Sequence, residues 1–175
     1  VCVHEHFMTE TARAADLVDY PAVARLKLPV LECLYATFRA RHLGAASDDA
    51  SGGGSERGRA FRAFQQEFGR PLRLHATFEA LHERFYGEDP LRWAWQSWPE
   101  EFRDSTSGAV EAFAREHAER IEFFEYLQWE ADRQLGAAAE RGRRAGLGLG
   151  FYRDLAVAAN PGGAAAWADP GALVQ

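Results

Sequence analysis

One apolar spacing runs through the second half of this chain, and little else constrains its fold as tightly. Val110, Phe113, His117, Ile121, Phe124, Gln128, Ala131, Leu135 and Ala138 follow one another at alternating steps of three and four residues. That average is the period of a helix packed along other helices through a single seam, so one strongly helical stretch is expected from Ser107 onward. His117 and Gln128 are the polar members of the seam. Each is either a satisfied hydrogen-bonder in a core or a residue facing a cleft. Phe123, Tyr126, Leu127 and Trp129 widen the apolar face, so the middle of the helix is expected to be buried on more than one side. Arg141, Arg143 and Arg144 complement the dipole of the last turn, and Gly146 ends it.

Leu147 to Tyr152 is too short for a helix and follows a C-capping glycine, so it reads as a buried strand. Gly148 and Gly150 within it permit close approach of backbone or ligand. Arg153-Asp154 arrive where that strand ends. A helix, a buried strand and an acid at the strand's carboxyl end is the order in which an α/β barrel presents a site residue. Asn160-Pro161-Gly162-Gly163 and Asp169-Pro170-Gly171 are turn signals, with Trp167 between them on a short helical piece.

Upstream, Asp19 is the expected N-cap of a helix with Pro21 in its first turn. Val23, Leu26, Val30, Leu34 and Phe38 form one face of that helix, and Gly44 closes it. Pro29 lies inside the run and is expected to kink or break it, since it removes a backbone bond at about 3 kcal/mol. Residues 47–55 read as a flexible linker. Their glycine run lacks the lysine and hydroxyl ending of a phosphate loop. Phe61, Phe64 and Phe68 mark a helix that Gly69 stops. Pro71 starts another, with Leu74, Phe78, Leu81 and Phe85 on one side and Gly87 at its end. Trp93, Trp95 and Trp98 occupy the polar connector that follows. Such rings pin a loop through buried area or, less often, stack on sugar.

Composition excludes several classes. The chain has 175 residues, 47% hydrophobic and 26% charged, with a formal charge of −6, which fits a globular domain and gives no bulk attraction to nucleic acid. Two cysteines, Cys2 and Cys33, make no disulfide framework and fit a reducing, cytoplasmic setting. No apolar run reaches the ~20 residues of a membrane helix, and no signal-peptide pattern opens the chain. His4-Glu5-His6 cannot all face one ion, and Glu79-x-x-His82 lacks the second pair of a di-iron motif, so no metal or other cofactor is expected. Residues 1–16 carry little pattern. Val1 and the unclosed ending Gly171-Ala172-Leu173-Val174-Gln175 read as the ends of a piece of something longer.

Several blocks together carry a resemblance. Phe123-Phe124-Glu125-Tyr126-Leu127-Gln128-Trp129 with Asp132-Arg133-Gln134-Leu135, then Arg153-Asp154-Leu155-Ala156-Val157, then Ala166-Trp167-Ala168, stand in an order and spacing that resemble the 4-α-glucanotransferase family. The stretches from Val18 to Leu31 and from Ala109 to Phe123 look like the helical insertion of its bacterial members. The resemblance covers roughly Leu17 to Pro170. It implies a mainly α piece: residues 17–106 as a helical insertion subdomain, and residues 107–175 as a long helix, one β-strand and the following loop of a (β/α)8 barrel. It implies an enzyme moving α-1,4-glucan segments between maltodextrins with retention, through an aspartate nucleophile and a glutamate acid/base. None of the acids in this chain matches those catalytic groups. The matching family acid at Asp154 sits beside the sugar cleft, so Asp154, with Arg153 and Trp167 as weaker candidates, is expected on the substrate side. Glu130 departs from the family pattern, standing where a large apolar residue is common, and Ala158-Ala159 replace a glycine-containing continuation. A free-standing helical interaction or glucan-binding module is the alternative reading.

Overall fold

The computed structural model describes residue 13 and residues 16–44, 55–151 and 160–172. The order of elements is α1 (Tyr20–Phe38), a π-helical turn (Arg39–Leu43), α2 (Glu56–Glu88) and three 3-10 turns (Pro90–Arg92, Trp95–Ser97, Glu100–Phe102). Then come α3 (Gly108–Glu116), α4 (Ala118–Arg144), α5 (Ala164–Ala168) and a last 3-10 turn (Pro170–Ala172). The chain divides into two units, Val1–Ala60 and Phe61–Gln175.

In the first unit Asp19 caps α1 as expected, its Oδ1 accepting from the Ala22 N–H at 2.9 Å. The helix runs through Pro29 without ending. Pro29 and Arg25, whose carbonyl loses its partner, are both exposed, so solvent reaches the orphaned acceptor and the break expected there is not needed. The buried side chains are Ala22, Tyr35 and Phe38, whereas Val30 and Leu34 of the expected face are exposed. Beyond the π-helical turn, His42 Nδ1 lies 2.6 Å from Ser55 Oγ. That hydroxyl also accepts from the Gly58 N–H at 3.1 Å, which starts α2. Gly58 has no room for a side chain, because a Cβ there would stand 2.2 Å from the His42 carbonyl oxygen.

The second unit is built on α2 and α4. Gly69, at φ 44° and ψ −126°, breaks α2 where the sequence predicts one helix to stop and another to begin. Before the break, Phe61 is fully buried and packs on Tyr126 and Trp129, with ring centroids 6.2 and 5.4 Å away. After it, Phe78 and Phe85 pack on Trp98, and Phe78 also on Trp167, at 5.2–5.8 Å. The long seam is not one helix. It bends at His117 (φ −105°, ψ 29°), between α3 and α4. The His117 ring lies 4.2 Å from that of Phe113 at the bend, and no glycine or proline in the sequence marks the place. Val110, Phe113, Ile121 and Phe124 are buried, and so are Phe123, Tyr126 and Trp129 beside them. From Ala131 to Ala138 the helix is exposed.

A polar seam closes the α2–α4 contact. Glu125 is 5% exposed and takes a hydrogen bond of 2.5 Å from Gln65 and an ion pair of 3.3 Å from Arg73. Arg73 also donates to the Ala114 carbonyl. Arg62 pairs with Glu122 at 2.6 Å, and Arg120 makes a two-pronged pair with Glu83. A buried carboxylate without such partners would be strongly destabilising, so these pairs fix the register of the two helices.

The end of α4 departs from expectation. Gly146 (φ 93°) donates to the Arg143 carbonyl and Leu147 to that of Gly142, which is the double bond of a Schellman ending. Leu147 folds back over Gly142, where a Cβ would stand 2.9 Å from its Cδ1. Instead of a strand, Leu147–Phe151 form turns, with Gly150 (φ 72°) donating to Leu147, and no strand occurs among the described residues. Strand backbone needs neighbouring strands for its N–H and C=O groups, and the described residues supply none. Leu147, Leu149 and Phe151 are exposed accordingly.

Candidate functional site

Two places in the second unit have the chemistry of a site. The first is the loop 160–172, laid on the tryptophan connector. The Asn160 carbonyl and side-chain oxygens accept from Gly163 and Gly162 at 2.9 Å and close the expected turn. The Pro161 carbonyl accepts two bonds, from Trp95 Nε1 at 2.9 Å and from Gln96 Nε2 at 2.8 Å. Gly162 is buried against Trp93, whose ring would lie 2.9 Å from a Cβ there. Trp98 is fully buried and donates to the Arg92 carbonyl at 3.1 Å, which is the loop-anchoring role. Trp93, by contrast, is 54% exposed.

Of the three substrate-side residues expected from the sequence, the described structure reaches one. Trp167 is fully buried on α5, donates its indole N–H to the Phe102 carbonyl at 2.9 Å, and stacks edge-on against Trp98 at 6.2 Å. Arg153 and Asp154 lie outside the described residues. What the structure fixes is the chain just beyond them, where Asn160 begins a loop tied down at both the connector and the aromatic core.

The second place is a groove of about 400 Å³ beside the break at Gly69. Phe64, Phe68 and Leu72 line it from the two pieces of α2, and Ala131 and Leu135 from the exposed half of α4. Phe64 and Phe68 stack with centroids 4.5 Å apart. Three polar side chains also line it: His75, Gln128 and Asp132. None of the three has a hydrogen-bond partner among the described residues. Gln128 is thus the seam residue that faces a cleft, and His117, half-buried on Phe113, is not part of that groove. The 3.5-residue spacing placed Gln128 and Leu135 on one face, but the groove also needs the Gly69 break, which the spacing does not encode.

Other candidates from the sequence resolve differently. His82 stacks between Phe78 and Tyr86, at 5.9 and 5.7 Å and nearly parallel to both rings. Among the described residues no three His, Cys, Asp or Glu side chains come together to hold a metal, and no helix is long and apolar enough to cross a membrane. Two exposed carboxylates are held below their ordinary values. At Asp104 the cause is the Thr106 backbone N–H and hydroxyl, and at Glu140 it is hydrogen bonds from Arg143 and Arg144.

Comparison with known proteins is consistent along the chain. A family model described as 4-alpha-glucanotransferase matches residues 3–175. The 4-alpha-glucanotransferase of Mycobacterium tuberculosis is 40% identical over 116 residues, which is 66% of this chain and 15% of that protein. That of Haemophilus influenzae is 31% identical over 163 residues, 90% of this chain and 22% of the relative. The chain therefore spans between 15% and 22% of the length of these relatives. On the match that runs almost end to end, this chain belongs to the 4-α-glucanotransferase family.

Proposed function

We propose that this chain is the helical part of a 4-α-glucanotransferase, with residues 17–106 as an insertion subdomain and residues 107–175 joining it to one strand and one loop of a (β/α)8 barrel. The observation that carries this reading is the family match across residues 3–175. In the whole enzyme an aspartate attacks the anomeric carbon and a glutamate protonates the leaving sugar oxygen. A sugar hydroxyl, activated by the same glutamate, then takes the glycosyl group with net retention. Those acids are contributed from outside this chain, so the chain alone is inactive. Its share is substrate positioning, in a cytoplasmic enzyme acting on maltodextrins without a cofactor. Asp154 accepts hydrogen bonds from glucose hydroxyls, and Arg153 assists beside it. Trp167 acts from behind. Its buried ring and its bond to Phe102 tie the loop that follows Asp154 to the aromatic core.

The turn at Leu147–Phe151 fits this reading, because a barrel strand takes its extended form only when neighbouring strands satisfy its backbone. The test is a disproportionation assay of the longer enzyme containing this segment, with maltotriose as donor and acceptor. Glucose release with formation of maltopentaose through a new α-1,4 bond is expected, together with a raised KM and a smaller loss of kcat for Asp154→Asn. Hydrolysis without transfer, or an Asp154→Asn enzyme indistinguishable from the parent, refutes the assignment.

A further inference from the structure

We infer that Trp95 and Gln96 are positioning residues for glucan transfer, acting through the Pro161 carbonyl on the segment that carries Asp154, an inference that rests on the substrate-side role proposed above for Asp154. Asn160 follows Asp154 closely in the sequence, so a seat for the turn at Asn160–Gly163 holds the downstream end of that segment. The connector from Trp93 to Gln96 supplies the seat. Trp95 Nε1 donates to the Pro161 carbonyl at 2.9 Å, and Gln96 Nε2 donates to the same oxygen at 2.8 Å. Gly162 lies against the Trp93 ring and the Ala94 methyl, which would stand 2.9 and 3.1 Å from a Cβ there. Only a glycine brings the turn so close. Asn160 Oδ1 accepts from the Gly162 N–H at 2.9 Å and keeps the turn in the shape that fits.

The seat is itself held from behind. Fully buried Trp98 donates to the Arg92 carbonyl at 3.1 Å, Arg103 Nε to the Trp98 carbonyl at 2.7 Å, and Ser97 Oγ to the Ala94 carbonyl at 2.6 Å. Two donors on the Pro161 oxygen are more than pairing requires. Pro161 and Gln96 are exposed, so water can satisfy that oxygen in place of either side chain. The net gain in folding stability is therefore small, whereas two donors from neighbouring side chains fix both the place and the direction of the oxygen. A stabilising anchor already exists downstream, where buried Trp167 donates to the Phe102 carbonyl. The clamp at Pro161 lies in the chain between that anchor and Asp154, where a displacement of about 1 Å is enough to spoil the aim of a substrate-holding group.

The experiment is steady-state disproportionation of maltotriose by the longer enzyme containing this segment. The variants are Trp95→Phe, which keeps a ring and removes the donor, Gln96→Ala, and the two combined, each also made in the Asp154→Asn background. Either single variant leaves one donor on the carbonyl and should raise KM by about two-fold or less. The double variant should raise KM about ten-fold, with a smaller loss of kcat and an unchanged melting temperature. In the Asp154→Asn background the same pair should add less than about two-fold, because the group that it positions is already impaired. A double variant with the parent's KM overturns the inference. So does one that lowers the melting temperature and kcat and leaves KM alone, which is the mark of a purely structural tie. A full ten-fold loss on top of Asp154→Asn also overturns it, because the clamp then acts elsewhere. These three results refute the inference and leave the proposed function standing. A parent enzyme that transfers nothing refutes the proposed function and this inference with it.

Discussion

The two halves of α4 carry the same spacing and have opposite surroundings. From Ile121 to Trp129 the helix packs on α2 through Phe61, Gln65 and Arg73, with Gln128 alone on the exposed side. Ile121, Phe123 and Phe124 are buried, and Glu125 is held by Gln65 and Arg73. From Ala131 to Ala138 the seam continues in sequence but faces a groove and solvent. The difference shows that periodicity decides which side chains share a face, whereas the course of the facing helix decides whether that face is covered. Here α2 turns at Gly69, and the cover stops with it.

The sharpest way to break the comparison is to truncate one residue in each half. Ile121→Ala should cost about 2–5 kcal/mol, because a fully buried branched side chain leaves a cavity. Leu135→Ala, at a position already 44% exposed, should cost under about 1 kcal/mol. Chemical denaturation of the two variants measures both, and equal losses would mean that the second half is covered after all. Glu125→Ala should cost about 1–3 kcal/mol. It strips a buried acceptor from Gln65 and Arg73, and the half-exposed Arg73 recovers part of the loss in water. Gly69→Ala should cost about 1–2 kcal/mol through its positive φ. It should also perturb the amide signals of Phe64, Phe68 and Leu72 without touching those of Val110 or Phe113.

The smallest effect is one of pH. The Glu140 carboxyl is held below its ordinary value by hydrogen bonds from Arg143 and then Arg144. A depressed folded-state pKa contributes stability that is present above the ordinary glutamate value and is lost as pH falls through the lowered one. Acidification through that window should fray the last turns of α4 before it disturbs Ile121 to Trp129. Residue-resolved chemical shifts on titration would show it. Loss of both halves together would contradict it.

Much of this architecture was legible because its signals are local. Asp19 caps its helix as its chemistry dictates, and the helix expected from Ser107 onward does begin there. Gly69 and Gly146 stop helices because they take positive φ. Trp98 anchors the connector, as a large ring in a polar segment does. The misreadings are non-local. Pro29 forced no break, since exposed backbone tolerates the missing bond. The bend at His117 has no glycine or proline to announce it. Val30 and Leu34 stay exposed on an apolar stripe of which Phe38 alone is buried. The turn at Leu147–Phe151 depends on whether strands stand beside it, which its own residues cannot specify. For the sites, the sequence pointed to Asp154 through family resemblance and to Gln128 as a residue for core or cleft. It did not bring Gln128 together with His75 and Asp132, because the break in a different helix does that.

Amide hydrogen exchange along α4 tests the central claim most directly. Protection should be high from Ile121 to Trp129 and fall from Ala131 onward, in step with the loss of cover. Uniform protection from Ile121 to Ala138 would contradict the account.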